Sequence, residues 1–154
     1  MERHEVTQQL TTLVQMDIEA VKSYEQALEG VDDEGVRAEL DSIRAEHARN
    51  ADRLSAVVRD LGETPPETVR DFQGDIYGGI PSEFGIEGPT VHALEAMKTN
   101  EELLHRRYAE VLSMDLPQDV RPAVERNFHD QERHLSWIDD QLQRRGGDAA
   151  GQTS

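Results

Sequence analysis

The chain has 154 residues, 36% of them hydrophobic, and a formal net charge of −16, which sizes it for one domain with one buried core. So negative a surface repels nucleic-acid backbones and anionic membranes alike, and no apolar run approaches the roughly 18 residues of a membrane span. With no cysteine, disulfides, iron–sulfur clusters and thiolate zinc sites are excluded, so any metal must be held by oxygen and imidazole.

The Met-Glu-Arg-His start lacks the apolar segment of a signal peptide, so a cytoplasmic location is expected. Lys22 and Lys98 are the only lysines among 16 basic residues. Scarce Lys beside abundant Asp and Glu suits a surface adapted to high salt, which predicts different stability in low and molar salt.

The first helix is expected over about 6–30, with Val6, Leu10, Leu13, Ala20, Val21, Tyr24 and Leu28 on one face and Asp17 in the middle of it. Asp32 and Asp33 follow Gly30 as a stop signal and a new N-cap, and the second helix runs over 33–61 to Gly62. Its stripe of Val36, Leu40, Ile43, Leu54, Val57 and Leu61 is interrupted by His47 and Asn50.

Residues 63–89 hold four of the six prolines and five of the glycines. A connection this long needs a reason, and a crossover that starts helix 3 at the opposite end of the bundle supplies one. Its Phe72, Ile76, Tyr77, Ile80 and Phe84 are expected to pack on the outside of the bundle or against another subunit, with a lid over a site as the functional alternative. Thr90 is the expected N-cap of helix 3 (90–114), which turns Val91, Leu94, Met97, Leu104, Tyr108 and Leu112 inward around Glu101. Helix 4 (118–144) begins after Pro117, and Asn127, Gln131 and His134 fall on the stripe made by Val120, Val124, Ile138 and Leu142. A disordered polar tail is expected over 146–154.

The chain repeats itself. Adding 84 to the residue number places Val36 on Val120, Arg37 on Arg121, Asp17 on Glu101, Tyr24 on Tyr108, His47 on Gln131 and Asn50 on His134. Asp17 and His47 each lie 15 residues from a turn near residue 32, and Glu101 and Gln131 each lie 15 from a turn near 116. At a helical rise of about 1.5 Å per residue, all four helices send polar groups into one layer. Its members are Asp17, His47, Asn50, Glu101, Gln131 and His134, flanked by Glu46 and Asp130. A carboxylate in an apolar interior is costly unless it is paired, protonated or metal-bound. Carboxylate oxygen with imidazole nitrogen suits hard divalent metals, and a four-helix core delivers such groups at one level.

Two antiparallel hairpins, a long crossover and this layer resemble the ferritin-like superfamily, nearest to its small bacterial four-helix members. The stretches that carry the likeness are Asn100-Glu101-Glu102 leading to Tyr108-Ala109-Glu110, then Leu116-Pro117-Gln118-Asp119-Val120-Arg121, and Val124-Glu125-Arg126-Asn127-Phe128. The resemblance implies an all-α ferritin-like bundle and, for metal-binding members, a dinuclear iron or manganese site that activates dioxygen or peroxide, or oxidises and stores iron. That pattern asks for Glu on helices 1 and 3 and Glu-x-x-His on helices 2 and 4. Glu101 and His134 match, Asp17 is a shorter substitute, and His47, Asn50 and Gln131 depart from it.

A modest helix rotation would bring Glu46 and Asp130 inward. The candidate metal ligands are then Asp17, Glu46, His47, Glu101, Asp130 and His134, for one or two ions of iron or manganese, with Asn50, Gln131, Tyr24 and Tyr108 as supporting or substitute positions. The expected function is a metal-associated redox or iron-handling protein. The alternative is a structural or stress-associated bundle whose layer is hydrogen-bonded and metal-free. Tyr24 and Tyr108 read as core aromatics and His105 and His129 as surface residues. No catalytic residue or substrate is assigned, and a homodimer through the crossover or helix faces is the assembly considered.

Overall fold

The structure, a computed structural model, describes residues 1–66 and 88–153, the last eight of these by their backbone alone. It is an all-α bundle of four helices: α1 (Arg3–Gly30), α2 (Glu34–Asp60), α3 (Gly88–Leu112) and α4 (Arg121–Thr153). Among the described residues there is no strand, and no helix is long and apolar enough to cross a membrane. The crossover apolars Phe72, Ile76, Tyr77, Ile80 and Phe84 lie outside the described residues.

Local chemistry sets most of the boundaries. The Asp33 carboxylate accepts from the Val36 amide at 3.0 Å and caps α2. At the other end Gly62 has φ +88°, Gly62 N donates to Arg59 O and Glu63 N donates to Val58 O. This paired closure needs a left-handed residue, which glycine adopts without strain. Several boundaries differ from expectation. Thr90 is not the cap of α3, which already starts at Gly88; its hydroxyl donates to the Asp32 carboxylate at 2.5 Å and ties α3 to the α1–α2 turn. Residues 118–120 form a turn closed on Pro117 O, so α4 starts at Arg121. Its backbone then continues past 144 to Thr153, where no proline forbids it.

The repeat is visible in how the turns are fastened. Arg37 donates to the carbonyls of Leu28 and Val31, and its counterpart Arg121 donates to those of Leu112 and Met114. Each guanidinium bonds two carbonyls at a helix end, where intrahelical donors run out; those of Leu28 and Met114 also accept from the Val31 and Leu116 amides.

α1 packs on α2 and α3, and α4 packs on α3 and α2. Every one of these neighbours is antiparallel: Arg107 near the end of α3 bonds Gln9 near the start of α1, and Arg145 late in α4 bonds Asp33 at the start of α2. α3 therefore starts at the end of the bundle opposite to where α2 stops, as a crossover requires. Buried apolar residues form two clusters. One gathers Val6, Leu10, Leu13, Leu54, Val58, Val111 and Val124; the other gathers Val31, Leu40, Ile43, Leu94, Met97 and Ile138. Between them sit Asp17, His47, Asn50, Glu101, Asn127, Gln131 and His134, each at most 1% exposed.

Candidate metal centre

His47, on α2, stands at the middle of this layer. Its Nδ1 lies 2.9 Å from Asp17 Oδ1 and its Nε2 lies 2.5 Å from Glu101 Oε1. A neutral imidazole donates from one nitrogen only, so two facing carboxylates favour the imidazolium, which donates from both. Burial alone would lower the His47 pKa, but the charge of Glu101 and the hydrogen bonds and charge of Asp17 outweigh it and push the pKa up to about 10. The ring also stacks on Tyr24, with centroids 5.4 Å apart.

Each carboxylate takes a second donor from a tyrosine on the other helix of the α1–α3 pair. Tyr24 donates to Glu101 Oε1 at 2.6 Å, and Tyr108 donates to Asp17 Oδ2 at 2.5 Å. Because α1 and α3 run antiparallel and carry the same repeat, each tyrosine, seven residues beyond the acid of its own helix, extends its hydroxyl to the acid of the other. The chain Tyr24–Glu101–His47–Asp17–Tyr108 is thus continuous and two-fold in pattern. It extends through Asn127, whose amide donates to the Tyr108 hydroxyl and the Asn50 carbonyl and whose Oδ1 accepts from half-buried Arg53.

The α4 side of the layer is different. His134 Nδ1 lies 3.3 Å from Glu101 Oε1 but off the hydrogen-bond direction, and it is left without a partner. Glu101 Oε2 and both amide atoms of Gln131 are likewise buried and unpartnered in the protein, as is Asn50 Nδ2. Leaving such groups unmet costs about 1–3 kcal/mol each, so buried orphans ask for water or a ligand. His47, Glu101 and His134 each bring one ligand atom into a group within 4.8 Å of one another, a buried set among the described residues that could hold an ion.

The two acids respond oppositely to burial. Asp17 is raised above the ordinary carboxylate range, because desolvation exceeds the help it gets from His47 and Tyr108. Glu101 feels the same desolvation, yet the charge of His47, its hydrogen bond and the nearness of His134 hold it well below that range. Charge in the layer is therefore centred on the Glu101–His47 pair.

The remaining sequence candidates fall around this core. Glu46 does not turn fully inward: it is half-buried at the α2–α4 edge, where its Oε1 lies 3.3 Å from His134 Nε2 and 2.5 Å from Arg133 Nη2. Asp130 is bound by the same Arg133 at 2.9 Å and is not brought to the centre. No helix rotation occurs because the stripe residues Val124 and Ile138 fix α4 in the core. His129 is exposed and pairs with Glu132, while half-buried His105 stacks on Phe128. The sequence reads Tyr24 and Tyr108 as core aromatics at supporting positions, and it does not mark Arg53 and Arg133 as part of the site. Their equal spacing from Asp17 and Glu101 was a usable sign for the tyrosines; the arginines show only in three dimensions.

The fold and the layer define an all-α antiparallel four-helix bundle with a buried His–carboxylate centre. Residues 5–114 match a family described as a domain of unknown function, DUF2383, and the chain belongs to it. The match takes in Asp17, His47, Glu101 and both tyrosines and stops before α4, so Gln131 and His134 lie beyond it. No curated protein matches the chain.

Proposed function

We propose that this is a ferritin-like protein that binds a single divalent ion, iron or manganese, through His47 Nε2, His134 Nδ1 and Glu101, in a redox or iron-handling role. The observation that carries this is the orientation of the two histidines. Each presents one nitrogen to Glu101 and the other to a second carboxylate, Asp17 for His47 and Glu46 for His134. A metal-bound imidazole commonly gives its other nitrogen to such a carboxylate, which fixes its tautomer and direction. Asp17 and Glu46 are then orienting groups and not ligands, and Tyr108 orients Asp17 in turn.

The donor set fits the group: two imidazoles and one carboxylate suit a divalent first-row metal and leave positions open. The unpartnered Glu101 Oε2, His134 Nδ1 and Gln131 amide lie in the same layer. A dinuclear arrangement fits less well, because the positions that would carry its further ligands are His47, Asn50 and Gln131 and Asp130 is committed to Arg133. When bound, a redox-active ion of this kind supplies one-electron chemistry toward small oxidants such as dioxygen or peroxide.

A second reading rests on the Asp17 side, where both carboxylate oxygens and both His47 nitrogens have partners without any ion. There the layer fixes helix register as a buried polar network. Elemental analysis after anaerobic incubation with ferrous iron or manganese separates the two. The metal reading expects one equivalent in the wild type and none in a Glu101→Ala, His134→Ala variant; no metal in either leaves the structural reading.

A further inference from the structure

We infer that a cation reaches this centre between α2 and α4, with Glu46 receiving it at the surface and Arg133 holding that route shut. The inference rests on the proposed site of His47, Glu101 and His134. Those three are at most 1% exposed, so an ion must cross a layer of side chains to reach them. At the α2–α4 edge, side-chain exposure climbs from 1% at His134 through 15% at Glu46 to 56% at Arg133. Glu46 Oε1 faces both ways, 3.3 Å from His134 Nε2 and 2.5 Å from Arg133 Nη2.

Arg133 is held from two sides, by Glu46 on α2 and by Asp130 on its own helix. Its guanidinium keeps its charge at any working pH, so it repels an approaching cation and neutralises the carboxylate that would attract it. Ion pairs this exposed are weak and open readily. Once Arg133 swings out, two carboxylates face solvent, and Glu46 leads directly to His134. Arg53, half-buried at the layer, offers no such path: it bonds the neutral amides of Asn50 and Asn127, and Asn127 leads to the Tyr108 hydroxyl, not directly to a carboxylate.

Uptake kinetics test this, with cobalt(II) as a coloured probe mixed rapidly with metal-free wild type, Arg133→Gln and Glu46→Gln proteins, and final stoichiometry measured for each. Arg133→Gln is expected to load about fivefold faster or more at low salt, with its advantage shrinking toward one as salt screens the ion pair in the wild type. Glu46→Gln is expected to load about tenfold slower, since it loses the receiving charge. If both variants load at the wild-type rate and still reach one equivalent, the route is overturned while the site stands. If the wild type takes up no cobalt, site and route fall together.

Discussion

Asp17 has both carboxylate oxygens hydrogen-bonded, whereas its repeat counterpart Glu101 keeps one buried oxygen without a partner. The same contrast separates His47, held at both ring nitrogens, from its counterpart Gln131, held at neither amide atom. One backbone repeat therefore carries two different chemistries. Asp17, His47 and Tyr108 are fully bonded and do the positioning; the Glu101–Gln131–His134 half is incomplete and has the groups that could hold an ion. Buried unpartnered atoms of Glu101 and His134 that face one another point to a ligand more strongly than lone orphans such as Asn50 Nδ2, because they belong to groups that can hold a metal together.

The largest losses are expected at Asp17 and His47. Asp17→Ala takes the buried acceptor away from His47 Nδ1 and from the Tyr108 O–H, so metal-free protein is expected to lose about 3–5 kcal/mol in urea unfolding. A loss below about 1 kcal/mol would mean that this half does not hold the helices in register. Raising pH attacks the same group. The His47 pKa is raised from 6.5 to about 10 in the fold, so between those values the unfolded chain has lost a proton that the native one keeps. Stability of metal-free protein is therefore greatest below the unfolded value and falls as pH rises toward 10, with a slope of up to about 1.4 kcal/mol per pH unit from this group. A melt that stays flat across that window would contradict the doubly donating imidazolium.

Smaller changes sharpen the contrast between the halves. Tyr108→Phe leaves Asp17 Oδ2 buried and unmet, at a cost of about 1–3 kcal/mol. Tyr24→Phe is expected to cost less, because Glu101 Oε1 still accepts from His47. Denaturant midpoints for the two variants check the order. Gln131→Leu is expected to leave metal-free protein as stable as before or up to about 1 kcal/mol more stable, since it removes an amide that makes no bond within the protein. A clear loss would show that Gln131 is already served.

The repeat and the apolar stripes made the bundle, its hairpins and its polar layer readable in the sequence, because helical spacing and equal distances from the two turns fix which residues share a level. Spacing fixes a residue's angle around its helix only to within about half a turn, so it left open whether Glu46 and Asp130 face the centre. The answer lies with Arg133, which captures both at the edge. The tyrosines' equal spacing from the two acids is visible in the sequence, but that each bonds the acid of the other helix follows from the packing of α1 on α3.

A single-ion site in the incomplete half would be visible in anomalous diffraction from crystals grown with manganese or ferrous iron. The account predicts one peak about 2.0–2.3 Å from His47 Nε2, His134 Nδ1 and a Glu101 oxygen, with Asp17 and Glu46 outside bonding distance. Two peaks bridged by Glu46 or Asp130, or no peak in metal-soaked crystals, would contradict it.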